Sequence, residues 1–591
     1  MSHMGLVRHS RILAGLSCTL SLLAGTAIAA DTSGGFTVGS TNVAVADPSV
    51  PRPPGKPCVV ELFNDVTFTD FNSRPYAYAP PDGCQGHWAK VVLEADFSVT
   101  AGRQFDRTAT LWLGGVNLYF GTTQEPSSKV APSWHVERDL SDYGSLLRSA
   151  QQGQAIIGNI VNGTYTGVIH GSARLLFYPG RSPVRAPDGV YPLGADPIGN
   201  TTALNGPADK LAKTLSLPRN IERAYLDVFA QSQGGDEFWY TCVPDAYAQA
   251  TQECGGGNFR ETEVSIDGQP AGVAPVYPWI YTGGMDPYLW RPTPGVQTLN
   301  FTPYRVDLTP FAGQLSDGAP HEVAVSVAGA HGYFSATATL LVYRDAWAQQ
   351  VSGQVTSNTL VGQQPEPTIG STLVTGSNDA VSGDITTGLK RQFVIEGYAD
   401  TSHGRVRSKV AQTVGFADTQ TFTINSAGYR QISDQVTSVD SVSQSRIGPF
   451  VTTEYREKFS YPLHVDFNQV IATDGSNSST TTVHQGYEKH DTHRLFGIDL
   501  YSAKVSNSVD SADTLNFNAS GALTSHNGQH STQAFAFRDS LGSCYRTDLS
   551  TLSGALATYS EGQGCPGQSN RVFWFSRPDG SPASGNPWST W

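Results

Sequence analysis

An all-β fold spread over several domains is what this sequence predicts, and three observations predict it. Short stretches alternate apolar and polar side chains with the period of two that a half-buried strand needs. Gly, Pro, Asn and Asp interrupt them at short intervals, as turns between strands require. Only 15% of the residues are charged, too few for coiled coils or long solvated helices. At 591 residues the chain exceeds what one core serves. Two to four domains of about 150 residues each are expected.

Residues 1–30 read as an export signal. Arg8 and Arg11 supply a basic start, 12–23 an apolar run, and Ala27-Ile28-Ala29 a small-residue cleavage pattern. The apolar run is too short to span a bilayer, and no later stretch reaches 18 apolar residues. A secreted or periplasmic protein is therefore expected. The signal holds two Arg and no acid, so its removal takes the net charge from −13 to −15. Such an acidic chain suits neither nucleic acid nor anionic membrane.

Cys18 leaves with the signal, and Cys58, Cys84, Cys242, Cys254, Cys544 and Cys565 remain. Sequence proximity groups them as 58–84, 242–254 and 544–565, one of fifteen possible pairings. No couple has the spacing of a zinc or redox motif, and export permits disulfides.

Residues 31–56, rich in Gly, Ser and Pro, read as a flexible leader. A first sandwich is expected over 57–180, with strands at 90–97, 108–112 and 173–178 and a hint of short helix at 141–149. Residues 181–214 have little periodicity and read as a connection. A second sandwich follows over 215–346, its clearest strands at 224–229 and 322–327. Within it, 274–295 is dense in Pro, Gly and aromatics and should be a long ordered loop. Residues 347–591 form a Ser- and Thr-rich third β region, with strands at 391–398, 421–425, 461–467 and 572–575.

Three local patterns could carry chemistry. Phe105-Asp106-Arg107 precedes a strand, so a carboxylate and a guanidinium could share a sheet end. One could take a proton from water while the other holds a carbonyl oxygen. Taken alone, this also describes a surface ion pair. Asp236-Glu237-Phe238-Trp239-Tyr240 sets acids beside aromatics that could stack on sugar faces, or it is an acidic turn before a buried strand. Tyr288-Leu289-Trp290-Arg291-Pro292 presents an Arg from a rigid loop, or packs it on an aromatic ring. His490 and His493 lack a third ligand, so no metal is expected there. Nucleophile-elbow, phosphate-loop and His-Glu-x-x-His motifs are absent from the sequence.

Taken together, several stretches resemble the PNGase A-type acidic peptide:N-glycanases. They include Leu111-Trp112-Leu113-Gly114-Gly115, Gly121-Thr122-Thr123-Gln124-Glu125-Pro126, Phe259-Arg260-Glu261-Thr262, Pro278-Trp279-Ile280-Tyr281-Thr282-Gly283-Gly284 and Pro303-Tyr304-Arg305-Val306-Asp307. The likeness covers roughly 58–345 and is loose beyond. A weaker one reaches the PNGase F-type enzymes, which have two adjacent eight-stranded antiparallel β-sandwiches and a cleft between them. The resemblance implies that architecture here, jelly-roll in kind, with the C-terminal β region added.

It also implies an amidase that cleaves N-glycans from asparagine in mild acid, without cofactor or metal. The substrate would be an N-glycopeptide or N-glycoprotein; a monomer is simply the default expectation for the chain. Asp106 and Glu237 match the catalytic acids, with Asp106 near its ordinary pKa and Asp236 the rival for the second acid. Arg107, Arg291, Asp236, Trp239, Arg260, Trp290, Asn159 and Asn162 match substrate-binding positions. A third acid of the PNGase F type falls near Asn159–Asn162, where this chain has no carboxylate. The competing functions are a glycan-binding sandwich without catalysis and an endo-acting glycoside hydrolase using the acid pair.

Overall fold

The structure, a computed structural model, describes residues 36–448 and 450–583. The expected export signal and Cys18 lie outside them. The chain is all-β, as expected. In the first sandwich one sheet runs Cys58–Phe68, Ile169–Pro179, Trp88–Val99, Ser133–Asp139. The facing sheet runs Arg74–Tyr78, Gln151–Ile157, Thr108–Leu113, Val116–Thr122. Inward side chains from both, such as Val91, Leu93, Leu111 and Leu113, form one core. The expected helix at 141–149 is two 3-10 turns, Ser141–Tyr143 and Leu146–Arg148.

The second sandwich pairs a five-stranded sheet, built around Ile221–Gln233 and Tyr333–Arg344, with a four-stranded one. Its tight turns use positive φ where needed. Ile266 pairs with Gln269 across Asp267 (φ 50°) and Gly268 (φ 78°), the backbone of a two-residue hairpin whose twist matches its strands. Residues 181–214, expected as a connection, contribute three strands to this sandwich: Gly189–Pro192, Thr202–Leu204 and Leu211–Ser216. At three to six residues they are too short to register as alternation. Arg305 fastens the two sandwiches, with Asp142 at 3.0 Å on one side and Asp227 at 2.6 Å on the other.

The C-terminal region is one antiparallel sheet of 12 strands that meanders from Ser352–Asn358 to Ala555–Glu561. Its central strands, such as Gly404–Asn425, have up to 22 residues, and at 3.4 Å per residue they extend about 70 Å. The expected strand at 572–575 is not formed. An isolated bridge from Arg571 to Cys544 is its only ladder contact among the described residues.

One face of this sheet lies on the second sandwich, and much of that face is polar. Gln420 donates to the carbonyl of Cys242 (3.0 Å), Gln431 to Thr241 (2.8 Å), Gln485 to Pro278 (2.7 Å) and Gln529 to Arg291 (3.1 Å). These buried amides satisfy the backbone of irregular segments that have no ladder partners of their own.

The leader is not flexible over its described part. Ala46 N–H donates to Gln533 (2.6 Å), Val50 N–H to Glu137 (2.7 Å), and Arg52 pairs with Glu94 and Glu137 at 2.6 Å each. Its Pro residues fix an extended chain, and Val43, Ala44, Ala46 and Val50 are buried. The three disulfides join the residues that proximity suggested.

Candidate active site

Two sandwiches meet at Thr108. Its hydroxyl accepts from Gln231 (3.1 Å) and Gln233 (3.0 Å), near the end of the strand Ile221–Gln233. Asp106 and Arg107 stand immediately before this threonine. Thr108 pairs with Thr122, so the hairpin brings Glu125 out at the same end. Thr123 N–H donates to Arg107 C=O (2.8 Å), and Glu125 N–H donates to the Thr282 hydroxyl (2.8 Å). That places the 276–295 loop across the hairpin end.

Gly283 then lies between two carboxyl groups. Its N–H donates to Asp106 Oδ2 (3.0 Å). A Cβ on Gly283 would stand 2.4 Å from Glu125 Oε2 and 3.1 Å from Asp106 Oδ1. Only glycine allows that approach. Gly283→Ala is expected to lower kcat/KM about a hundredfold by displacing both carboxyls, with a small change in Tm because the displaced atoms are side-chain ends. Parallel kinetics and thermal melts check this.

Glu237 enters from the second sandwich. The strand Ile221–Gln233 ends in the 3-10 turn Gly234–Asp236, which Asp236 locks. Its carboxylate accepts from Arg260 Nε (3.0 Å) and Nη2 (2.6 Å), and from the N–H groups of His331 (2.9 Å), Gly332 (2.6 Å) and Tyr333 (3.0 Å). Five donors leave Asp236 no capacity for a substrate, so it positions the turn and Glu237 projects. Tyr281 closes this side, its hydroxyl donating to Ser232 C=O (2.5 Å).

Three carboxyls therefore share one site. Burial pushes Glu237 up to about 7, and the nearby Asp106 charge adds to it. Burial and Asp106 likewise push Glu125 up to about 7, against the pull of Arg291. Asp106 is raised by burial, while the Gly283 N–H and the Arg107 charge pull it down. The expectation of an ordinary pKa for Asp106 is thus corrected. Like charges this close do not all ionise in mild acid, and the acid holding the N–H and the guanidinium keeps the charge best.

Arg291 arrives on the loop as expected. Its Nε donates to Glu125 C=O (2.9 Å), Nη2 stands 3.7 Å from Glu125 Oε1, and the guanidinium lies 4.7 Å from the Tyr288 ring centre. Arg107 packs over Phe105 at 5.8 Å, and its Nε has no partner.

Other expected site residues are structural. Trp239 and Trp290 are buried, and Trp290 Nε1 donates to Gly284 C=O (2.9 Å), closing the loop. Arg260 is consumed by Asp236. Asn159 is buried and donates to Phe68 C=O (2.9 Å). Exposed Asn162 caps a turn through Thr164 N–H (2.8 Å). The third carboxyl comes from Glu125 and not from the 159–162 segment. Glu125 and Gly283 were visible in the sequence inside longer motifs, but nothing local marked their convergence.

Metal-type ligands gather elsewhere: Glu222, Asp345 and His403 place ligand atoms within 4.8 Å of one another. They sit near the start of the strand Ile221–Gln233, at its far end from Glu237. Glu222 is already paired with Arg185 (2.5 Å), and Asp345 accepts from Ser402 N–H (2.6 Å) and Ser402 Oγ (2.8 Å). His490 and His493 point to opposite faces of their strand, so they do not converge.

Paired sandwiches with buried carboxyls and an arginine at their junction define a hydrolase-type site that works by proton transfer and oxyanion stabilisation. Residues 49–360 match the family described as peptide N-acetyl-beta-D-glucosaminyl asparaginase amidase A, and 384–463 match the PNGase A C-terminal domain. The chain belongs to this amidase A family. It is 28% identical over 460 residues to the peptide-N4-(N-acetyl-beta-glucosaminyl)asparagine amidase A of Prunus dulcis, covering 74% of this chain and 78% of that protein. Among solved structures, PNGase F of Flavobacterium meningosepticum aligns with a TM-score of 0.34 and 14% identity, over 49% of this chain and 96% of that one. PNGF-II aligns with a TM-score of 0.35 and 12% identity, over 49% and 65%.

Proposed function

We propose that this protein is a glycoamidase acting on N-glycopeptides and N-glycoproteins. It hydrolyses the amide between the asparagine side chain and the first GlcNAc, releasing the whole glycan as a glycosylamine. The observation that carries this reading is the convergence of Asp106, Glu125, Glu237 and Arg291 at the sandwich junction of an amidase A family member.

Asp106, as carboxylate, takes a proton from water while the water oxygen bonds to the amide carbon. Negative charge then grows on the carbonyl oxygen, and Arg291 and Arg107 neutralise it. When the tetrahedral centre collapses the C–N bond breaks, and the leaving nitrogen takes a proton from Glu237, held protonated by its site. Asp106 returns its proton to Glu237. The products are an aspartyl peptide and a glycosylamine, which loses ammonia to a second water in solution. Glu125 holds Arg291 in place.

This division of labour needs Asp106 ionised and Glu237 protonated. Activity therefore peaks in mild acid, and the ionisation of Glu237 by itself would end it as the pH rises through about 7. We further propose that the protein acts outside the cytoplasm; the apolar N-terminal run and three disulfides support it.

The test is mass spectrometry of a defined N-glycopeptide incubated with the protein at pH 5. Aspartate at the former glycosylation site is the expected product. A single GlcNAc left on asparagine would mean an endo-acting glycosidase, and an unchanged peptide that binds would mean a lectin.

A further inference from the structure

The loop that carries Arg291 rests on the C-terminal sheet. Ser511 Oγ donates to Leu289 C=O (2.8 Å), and Gln529 Nε2 donates to Arg291 C=O (3.1 Å). Val296 N–H donates to Gln485 Oε1 (2.8 Å). The Tyr288 ring stacks on His526, with centres 3.6 Å apart and 19° between planes.

In the midst of these contacts two buried carboxyls meet. Asp286 Oδ1 accepts from Tyr288 N–H (2.8 Å) and so caps the 3-10 turn Pro287–Trp290, from which Arg291 leaves. Its Oδ2 is buried and has no donor. Asp513, on the strand Ile498–Phe517, is within hydrogen-bonding reach of it. Asp513 Oδ2 is also buried without a hydrogen-bond donor, while His526 Nδ1 lies 3.4 Å from it and hydrogen-bonds Asp513 Oδ1 at 3.5 Å. Asp286 and Asp513 are each 1% exposed.

Two ionised carboxylates are costly in such a place, because both Oδ2 atoms are buried without a donor and, among the described residues, only Arg291, His526 and His530 offset their repulsion. One proton between them converts repulsion into a strong hydrogen bond. The charged and titratable groups facing the pair are Arg291 and Tyr288 from the loop, and His526 and His530 from the sheet.

We propose that Asp513 is a positioning residue for the amidase reaction: it shares one proton with Asp286, clamping the Arg291 turn onto the C-terminal sheet in acid and freeing it when that proton is lost. The proposal rests on the amidase reading for its catalytic consequence and on the carboxyl pair alone for the clamp. Burial raises both to about 6; Asp513 adds to the rise at Asp286, while the hydrogen bond with Asp286 limits the rise at Asp513. Above that the pair repels, the turn lifts, and Arg291 leaves the place where the oxyanion forms. The effect falls on kcat more than on KM, since the oxyanion exists only after binding.

The experiment uses the full chain with Asp513→Asn and Asp513→Ala. It measures kcat and KM on an N-glycopeptide from pH 4 to 8, and thermal unfolding over the same range. An asparagine amide donates to Asp286 without needing a shared proton. The alkaline limb of Asp513→Asn is expected to move up by about one unit, from about 6 to the value near 7 at which Glu125 and Glu237 ionise. Asp513→Ala is expected to lose about tenfold or more in kcat with little change in KM, and the Asn variant to restore part of it.

The unfolding series reads the clamp without activity. Both carboxyls are raised in the folded state above 3.8, so the native protein holds a proton that the unfolded chain lacks. That stability is full below pH 3.8 and is lost as the pH rises through about 6. Asp513→Asn should flatten this fall. An unflattened fall, or an alkaline limb that coincides with wild type, overturns the proposal. Wild-type protein that leaves glycopeptide intact overturns the amidase reading instead, while the unfolding slope still decides the clamp.

Discussion

Asp106→Asn is expected to lose amidase activity by about 10²–10⁴-fold, the usual worth of a positioned general base, while its unfolding temperature at pH 7 rises. The two outcomes share one cause. Asp106 is raised above 3.8 because burial desolvates its charge. A carboxyl raised in the folded state contributes its full stability below pH 3.8 and loses it as the pH rises through the folded value. At neutral pH the wild-type charge is thus destabilising, and a neutral isostere removes the cost. The stability gain should fade as the pH falls through the folded Asp106 value, where wild-type Asp106 itself takes up a proton.

The control is Asp236→Asn. Asp236 holds buried Arg260 and three backbone N–H groups, so breaking the pair costs about 3–5 kcal/mol. Loss of activity with gain of stability at position 106, and loss of stability at position 236, would separate the reacting acid from the supporting one. If both variants merely unfold, Asp106 is not the base. Enzyme assays beside calorimetry from pH 4 to 8 give both readings.

How much of this was legible in the sequence follows from how local each signal is. The two sandwiches showed their longer strands because these alternate Val, Leu, Tyr and Phe against polar residues. Asp106-Arg107, Glu237 and Arg291 were visible because each lies in a short pattern with its own chemical sense. Glu125 was not, because its place depends on Thr122 pairing with Thr108. Asp513 was still less so, since it reaches the site from a distant strand of another sheet.

The length of the C-terminal strands was hidden for a different reason. Their buried face carries Gln420, Ser433, Gln485 and Ser531, each at most 1% exposed. Apolar periodicity cannot mark a face that buries amides and hydroxyls. The leader misled for the reverse reason: its Gly, Ser and Pro content reads as unstructured, yet its small apolar residues and backbone amides fit a seam between sheets.

Removing that third region should destroy the protein, which is the second large effect expected. A chain ending at residue 350 keeps both sandwiches, all the acids and Arg291. Yet one hydrophobic cluster runs without a break from the second sandwich into the C-terminal sheet. Tyr277 packs at 4.9 Å on Tyr461 and at 6.0 Å on Tyr487, and Tyr304 packs at 5.3 Å on Phe459. Each buried aromatic is worth about 2 kcal/mol, so losing the cover of a handful approaches the whole 5–15 kcal/mol that holds a domain folded.

The truncation also strips polar partners. Buried Glu261 loses Arg391, and the 276–295 loop loses the glutamines that satisfy its carbonyls. Expression of the two chains side by side, followed by size exclusion and far-ultraviolet circular dichroism, checks this; aggregated or unfolded truncated protein is expected. A folded, active truncation would make the sheet a spacer. Gln485→Ala then separates packing from polar support. It keeps the sheet but orphans Pro278 C=O and Val296 N–H, at about 1–3 kcal/mol each. Folded protein with a loosened Arg291 loop and a lower kcat would show that the sheet shapes the site as well as covering it.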